Sequence, residues 1–239
     1  MSLSRPDSEY AFGDAARGSE LAAGRSAQRV EPSAAVTRLR RTPAPKRVLD
    51  VAVSTLLLLV LLPFLVVLTL LIVLDSPGNP IFAQRRVGRD GRTFRFFKLR
   101  TMVPDAEQRL AEVQHLNQAN GPLFKIRRDP RVTRIGHFLR RTSLDELPQL
   151  WNVLRGDMSL VGPRPPLPHE VEAYTPHQWR RLTVTPGMTG LWQVSGRSDL
   201  SFEDAIALDL TYVDTWSFWL DLSLLLKTAL VVLVARGAY

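Results

Sequence analysis

The sequence predicts a mainly α-helical fold with one small β-hairpin and one membrane-inserted helix. Three observations lead there. Val51 to Leu74 is a run of 24 residues without a charge, which as a helix is long enough to match a bilayer core. Ile81 to Lys98 alternates with period two around Asp90-Gly91, a hairpin turn signal. The rest reads as short helical patterns punctuated by Gly and Pro.

At 239 residues the chain can hold one domain with a real core, plus tails. The net charge of +8 is unevenly spread. From Arg85 to Arg141 there are 15 Lys/Arg against 5 Asp/Glu, and from Thr142 to the end 7 against 11. Such a basic block suits a phosphate-rich partner: nucleic acid, anionic lipid headgroups or a nucleotide-sugar. The chain has no cysteine, which excludes disulfides and thiol chemistry and fits a cytoplasmic setting.

Residues 1–45 are rich in Ala, Arg, Ser, Gly and Pro without an apolar period, and are expected to be a disordered tail. The apolar run comes too late and is too long for the core of a signal peptide. A membrane helix is expected over 46–75. Pro63 near its midpoint removes a backbone hydrogen bond and kinks a helix. Basic residues flank both ends: Arg38, Arg40, Arg41, Lys46 and Arg47 before, Arg85, Arg86, Arg89 and Arg92 after. Positive residues favour the cytoplasm. The residues alone therefore leave open a helix that spans and one that enters, bends at Pro63 and returns.

After the hairpin, Pro104 to Asn120 looks helical, with acids early and Gly121 to stop it. Arg134 to Leu139 reads as a short helix. Ser143-x-x-Glu146 fits a capping box for a following helix with Leu147, Leu150, Trp151 and Leu154 on its apolar face and Gly156 at its end. Pro163-Arg-Pro-Pro166 is expected to be a rigid turn. Glu170 to Arg181 reads as a helix, Thr185 to Gly190 as a loop, Gln193 to Arg197 as a tight element and Phe202 to Asp214 as a helix. The last helix, Asp214 to Ala235, carries Trp216, Phe218 and Trp219 and then Leu and Val, interrupted by Asp221 and Lys227. Such a pattern suits a helix in the membrane interface, or a buried core helix.

The stretch Arg140-Arg-Thr-Ser-Leu-Asp-Glu-Leu-Pro-Gln149 concentrates the chemistry. Asp145 and Glu146 can attack phosphorus or hold Mg²⁺, and the arginines can grip phosphate oxygens. A plain helix cap would explain the acids alone, since acids in a first turn favour the helix dipole. The four histidines show no metal-ligand spacing.

The pair has company. In order come Phe82-x-Gln84, Lys98-Leu-Arg-Thr-Met102, Asp129-Pro-Arg-Val-Thr-Arg134, Ser143-Leu-Asp-Glu-Leu-Pro-Gln-Leu150 and Gly156-Asp-Met-Ser-Leu-Val-Gly-Pro-Arg-Pro165. Pro186-Gly-Met-Thr-Gly190, Gln193-Val-Ser-Gly-Arg197 and Leu208-Asp-x-x-Tyr-Val213 follow. Each is weak alone. The ordered set, over some four-fifths of the chain, resembles the bacterial sugar transferases, the monotopic polyprenyl-phosphate phosphoglycosyl transferases.

The resemblance implies a re-entrant membrane helix and interfacial amphipathic helices around a compact cytoplasmic catalytic domain over 76–239. It implies transfer of a sugar-1-phosphate from a UDP-sugar to polyprenyl (undecaprenyl) phosphate, with release of UMP. Asp145 would be the nucleophile that forms a phosphosugar-enzyme intermediate, and Glu146 would hold Mg²⁺. Lys98, Arg100, Arg140, Arg164 and Asp221 would bind substrate. Beside Arg140 and Arg141, Asp145 is expected to stay ionised. The implied setting is the cytoplasmic face of the bacterial inner membrane. Nucleic acid is not an implied partner, and a homodimer is left open. One departure is Leu62-Pro63, where the family often has Ser-Pro. A competing class is a membrane-tethered basic protein that binds anionic lipid or nucleic acid. It predicts salt-sensitive binding that ignores Asp145 and Glu146.

Overall fold

Leu, Val and Ala, uncharged from Val51 to Leu74, make the first element a single long helix. In the computed structural model, α1 (Ala44–Asp75) runs 32 residues through Pro63. Described residues are 42–118, 124, 126, 128–196 and 200–233. The tail expected over 1–45 lies, up to residue 41, outside them. At 1.5 Å per residue α1 would be about 48 Å long if straight. It is long and apolar enough to cross a membrane. Its burial is confined to the two ends. Lys46, Asp50 and Ser54 are buried near its start, and Leu68 and Ile72 near its finish. Leu56, Leu59, Val60, Leu62, Val66 and Val67 between them are exposed.

The hairpin forms as expected. Strands β1 (Ile81–Val87) and β2 (Thr93–Leu99) pair antiparallel, with Phe82 opposite Lys98, Gln84 opposite Phe96 and Arg86 opposite Phe94. Asp90 and Gly91 both take positive φ, 56° and 76°, and the Arg92 N–H donates to Arg89 O at 3.2 Å. That is the backbone twist an Asp-Gly pair supports.

The helix expected over Pro104–Asn120 is largely absent. Turns lead into a single helical turn, α2 (Leu110–Val113), and a 3₁₀ turn at Gln114–Leu116; residues 119 and 120 lie outside the described residues. Only Ala106 and Val113 of the segment reach the core, too little to hold a long helix. Next come α3 (Arg134–Thr142) and α4 (Gln149–Arg155). Gly156, with φ 86°, ends α4 as its composition predicts. The buried face of α4 is Gln149, Leu150, Asn152 and Val153, while Trp151 is exposed, a quarter-turn from the face expected. Asn152 explains the rotation. Its side chain donates to Arg95 O at 2.6 Å and accepts from Phe97 N–H at 3.2 Å, so α4 is docked on β2.

Strand β3 (Ser159–Val161) pairs parallel with β4 (Gly187–Thr189), inside the segment expected to be a loop. Gly162 and Gly187 allow it: a Cβ on Gly187 would lie 2.0 Å from Gly162 N. Pro163-Arg-Pro-Pro166 bends at its start and then runs extended beside the end of β1, where Val87 N–H donates to Pro166 O at 2.9 Å. The helix expected over Glu170–Arg181 is broken into α5 (Pro168–Glu172), α6 (Pro176–Trp179) and a 3₁₀ turn at Arg180–Thr183. Pro176 cannot continue a helix but can start one, and Thr175 caps it by accepting from Gln178 N–H at 3.3 Å.

Then come α7 (Leu191–Ser195), α8 (Phe202–Thr215) and α9 (Phe218–Leu233). Arg197 and residues 234–235, included in two of the expected elements, lie outside the described residues. Three clusters form the core. Phe96, Leu150, Val153, Leu160, Val161, Tyr212, Val213 and Leu224 make one. Val87, Val171, Leu182, Ile206 and Leu210 make a second. In the third, Leu68 and Ile72 of α1 pack on Leu99 and Leu139. Both ends of α1 are thus built into the same domain.

Candidate active site

The acid pair sits where α3 gives way to α4. Thr133 starts α3 by accepting from Gly136 N–H at 3.0 Å. Ser143 stops it in the left-handed conformation, φ 57°, with its N–H on Arg140 O at 3.2 Å. Leu144–Glu146 then forms a 3₁₀ turn. The expected capping box is therefore absent. Ser143 is spent as the end of α3 and makes no side-chain cap, and the Glu146 carboxylate instead accepts from Lys98.

Lys98 reaches both acids from β2. Its Nζ lies 2.8 Å from Glu146 Oε1 and 3.4 Å from Asp145 Oδ2. Burial disfavours the Lys98 charge, but Glu146 and Asp145 beside it outweigh that and hold the ammonium above the usual lysine range. Arg140 approaches from α3, and its Nε donates to Thr101 Oγ1 at 3.0 Å. Gly136 lets α3 come close enough, since a Cβ there would stand 2.0 Å from Thr101 O.

Asp145 is buried, and burial raises its pKa above the usual carboxylate value. Lys98 and Arg140 pull it down, while Glu146 pushes it up. Asp145 was expected to stay ionised beside Arg140 and Arg141; its burial works against that. Removal from water acts more strongly than either Lys98 or Arg140.

These residues line a cavity of about 1190 Å³. Phe82, Gln84, Arg86 and Lys98 enter it from the inner face of the hairpin, and Arg100, Thr101, Arg140, Asp145, Glu146 and Arg164 complete the polar wall. The lining also includes Met188, Trp192 and Val232, with Thr189 and Thr228. Of the seven expected site residues, Lys98, Arg140, Asp145, Glu146 and Arg164 are thus gathered at one place. Arg100 also lines the cavity, but its guanidinium is engaged with Ser76 O and Pro77 O just past the end of α1. Arg141 is exposed and lies outside the lining.

Asp221, expected to bind substrate, is not part of the cavity wall. It is 1% exposed and lies 2.7 Å from Lys46 Nζ. Tyr212 Oη donates to it at 2.8 Å and Trp216 Nε1 at 3.0 Å. Lys46 also donates to Val161 O at 2.8 Å. This network binds the start of α1 to α8 and α9.

Arg164 is positioned by its backbone. Its carbonyl accepts from Arg181 at 2.9 Å, and Arg181 is itself paired with buried Asp209 and with Tyr174 Oη at 2.6 Å. Burial drives the Asp209 pKa up to about 6 against the pull of Arg181. Sequence reasoning missed Arg86. It is 7% exposed, donates to Pro165 O at 3.1 Å and lies over the Phe96 ring at 5.3 Å. Burial first, and the nearby Arg164 charge second, lower its pKa to about 9. The signal was present: Phe82-x-Gln84 extended by one more period reaches Arg86.

Residues 41–235 match the sequence model of a family described as bacterial sugar transferase. The chain is 48% identical over 198 residues to a UDP-galactose-lipid carrier transferase of Erwinia amylovora, covering 81% of this chain and 41% of the relative. It is 44% identical over 202 residues to an undecaprenyl-phosphate galactose phosphotransferase of Salmonella typhimurium, covering 81% and 41%. It is 41% identical over 203 residues to a UDP-glucose:undecaprenyl-phosphate glucose-1-phosphate transferase of Caulobacter vibrioides, covering 81% and 72%. The chain spans about two fifths of the length of the first two.

Proposed function

The chain belongs to the bacterial sugar transferase family, and on that premise we propose that it moves a sugar-1-phosphate from a UDP-sugar to undecaprenyl phosphate. An Asp145 carboxylate oxygen attacks the phosphorus that carries the sugar. The bond from that phosphorus to the bridging oxygen breaks, and UMP leaves with the electron pair. An oxygen of the lipid phosphate then attacks the same phosphorus and expels the Asp145 carboxylate. The observation that carries this reading is the placement of Asp145, buried at the wall of a large cavity among Lys98, Arg140 and Arg164. Phosphoryl transfer depends mostly on positioning and charge neutralisation, and this wall supplies both.

Mg²⁺ fits the donor set. Among the described residues no three acids or histidines gather as a ready-made cation site. Glu146 would hold the ion, and diphosphate oxygens would supply further ligands. Bound there, Mg²⁺ would neutralise charge on the diphosphate. Lys98 keeps the two acids together, and Arg140 and Arg164 bracket the place where phosphate must sit.

Residues 46–75 would be the membrane helix and 76–239 the catalytic domain at the cytoplasmic face of the inner membrane. Re-entry is supported by the two buried ends of α1. A helix held by one domain at both ends would keep both ends on the same side of a bilayer. Apolar residues in the cavity lining, such as Met188, Trp192 and Val232, suit a lipid-borne phosphate.

UMP release tests the reaction. Purified protein with Mg²⁺ and polyprenyl phosphate is expected to release UMP from one or more members of a UDP-sugar panel that includes UDP-glucose and UDP-galactose. Asp145→Asn is expected to lower the rate by orders of magnitude. Full activity in Asp145→Asn would assign the attack to another group.

A further inference from the structure

Arg86 is a buried cation that no carboxylate meets as a direct ion pair among the described residues, although the charges of Glu170 and Glu146 act on it from further off. Of four other buried cations, Lys46, Arg131 and Arg181 each face a carboxylate, Asp221, Asp129 and Asp209, while Arg100 is held by the carbonyls of Ser76 and Pro77. Arg86 is as buried as they are, yet no ion pair includes it among the described residues. Its hydrogen bond goes to a neutral carbonyl, Pro165 O, and its Nε has no partner at all. Leaving a buried charge uncompensated is strongly unfavourable. A second cation, Arg164, stands near enough to make matters worse. Both arginines line the cavity that holds Asp145 and Glu146.

Such an arrangement is incomplete without an anion. Phe96 supports the guanidinium face of Arg86, and Pro163 and Pro165 restrict the backbone on either side of Arg164. We propose that Arg86 and Arg164 together form a phosphate-binding site beside the acid pair, with Arg86 as a substrate-binding residue. The guanidinium fork suits two oxygens of one phosphate, which a lysine at either position would not reproduce. Resting on the transferase reading above, the phosphate belongs either to the nucleotide donor or to the lipid acceptor.

Binding to the full chain in detergent micelles, measured by calorimetry, tests this without turnover. The probes are inorganic pyrophosphate, UMP and a short-chain polyprenyl phosphate. Arg86→Gln is expected to weaken pyrophosphate binding about tenfold or more. Arg86→Lys, which keeps charge but not the fork, should recover only part of it. Arg92→Gln, on the exposed hairpin tip, should bind like the unchanged protein. Weakening of UMP binding assigns the site to the donor, and weakening of polyprenyl phosphate binding assigns it to the acceptor. Undiminished binding of all three probes in Arg86→Gln and Arg86→Lys overturns the proposal, whatever happens to their melting temperatures. Arg86-dependent binding in a protein that turns over no UDP-sugar would keep the phosphate site and discard the transferase reading.

Discussion

At the scale of single residues, the consequence to test is the protonation of Asp145. Its pKa lies above the usual carboxylate value of about 3.9, because burial outweighs Lys98 and Arg140. The proposed attack needs the ionised form. Activity should therefore be full above the raised pKa and fall as pH drops through it, at a higher pH than for an exposed aspartate. Lys98→Met removes a charge that lowers this pKa, so the acid limb of the kcat/KM profile should move further up in pH. A limb that moves down, or does not move, would detach Lys98 from the ionisation of Asp145. The identities of these residues were legible in the sequence, because acids and bases at motif spacing can be read in order. The protonation was not, since burial of Asp145 depends on α3, β2 and the 144–146 turn converging. Arg86 was overlooked because it lay among many arginines, and only the strand register separates it from exposed Arg85 and Arg95.

At the scale of elements, the Lys46–Asp221 pair decides how α1 is held. Either Lys46→Met or Asp221→Asn leaves a buried group unmatched and should destabilise the fold by about 3–5 kcal/mol. The double change Lys46→Met with Asp221→Leu should recover part of the loss. Thermal unfolding in detergent would show it. A raised donor KM at unchanged stability would instead return Asp221 to substrate binding. Strong local signals made the hairpin and α1 readable: alternation with Asp-Gly and a long apolar run. Weak ones misled. Gly187-Met-Thr189 is too short for a period, and becomes a strand only because Ser159–Val161 lies beside it. Ser143 resembled a cap, but its backbone was committed to closing the preceding helix.

At the scale of the molecule, the point at issue is on which side of the membrane each part lies. The chain has no cysteine, so single labels are unambiguous. Tyr10→Cys and Glu203→Cys, probed with an impermeant reagent on sealed vesicles, should react from the same side. Labelling from opposite sides would rule out re-entry. The sequence left spanning and re-entry open because charge flanked both ends of the apolar run. What it could not show was that both ends of α1 belong to one core. That has a consequence in time. The Lys46–Asp221 contact joins residues 175 apart. At ribosomal speeds of about 5–20 residues per second, roughly 10–35 s pass between the synthesis of Lys46 and of its partner. During that interval Lys46 has no carboxylate partner, and α1 depends on its other contacts, such as Leu68 and Ile72 on Leu99 and Leu139. Those contacts and its exposed leucines and valines must keep α1 in place before the ion pair exists, and the charge network then acts as a latch that closes last.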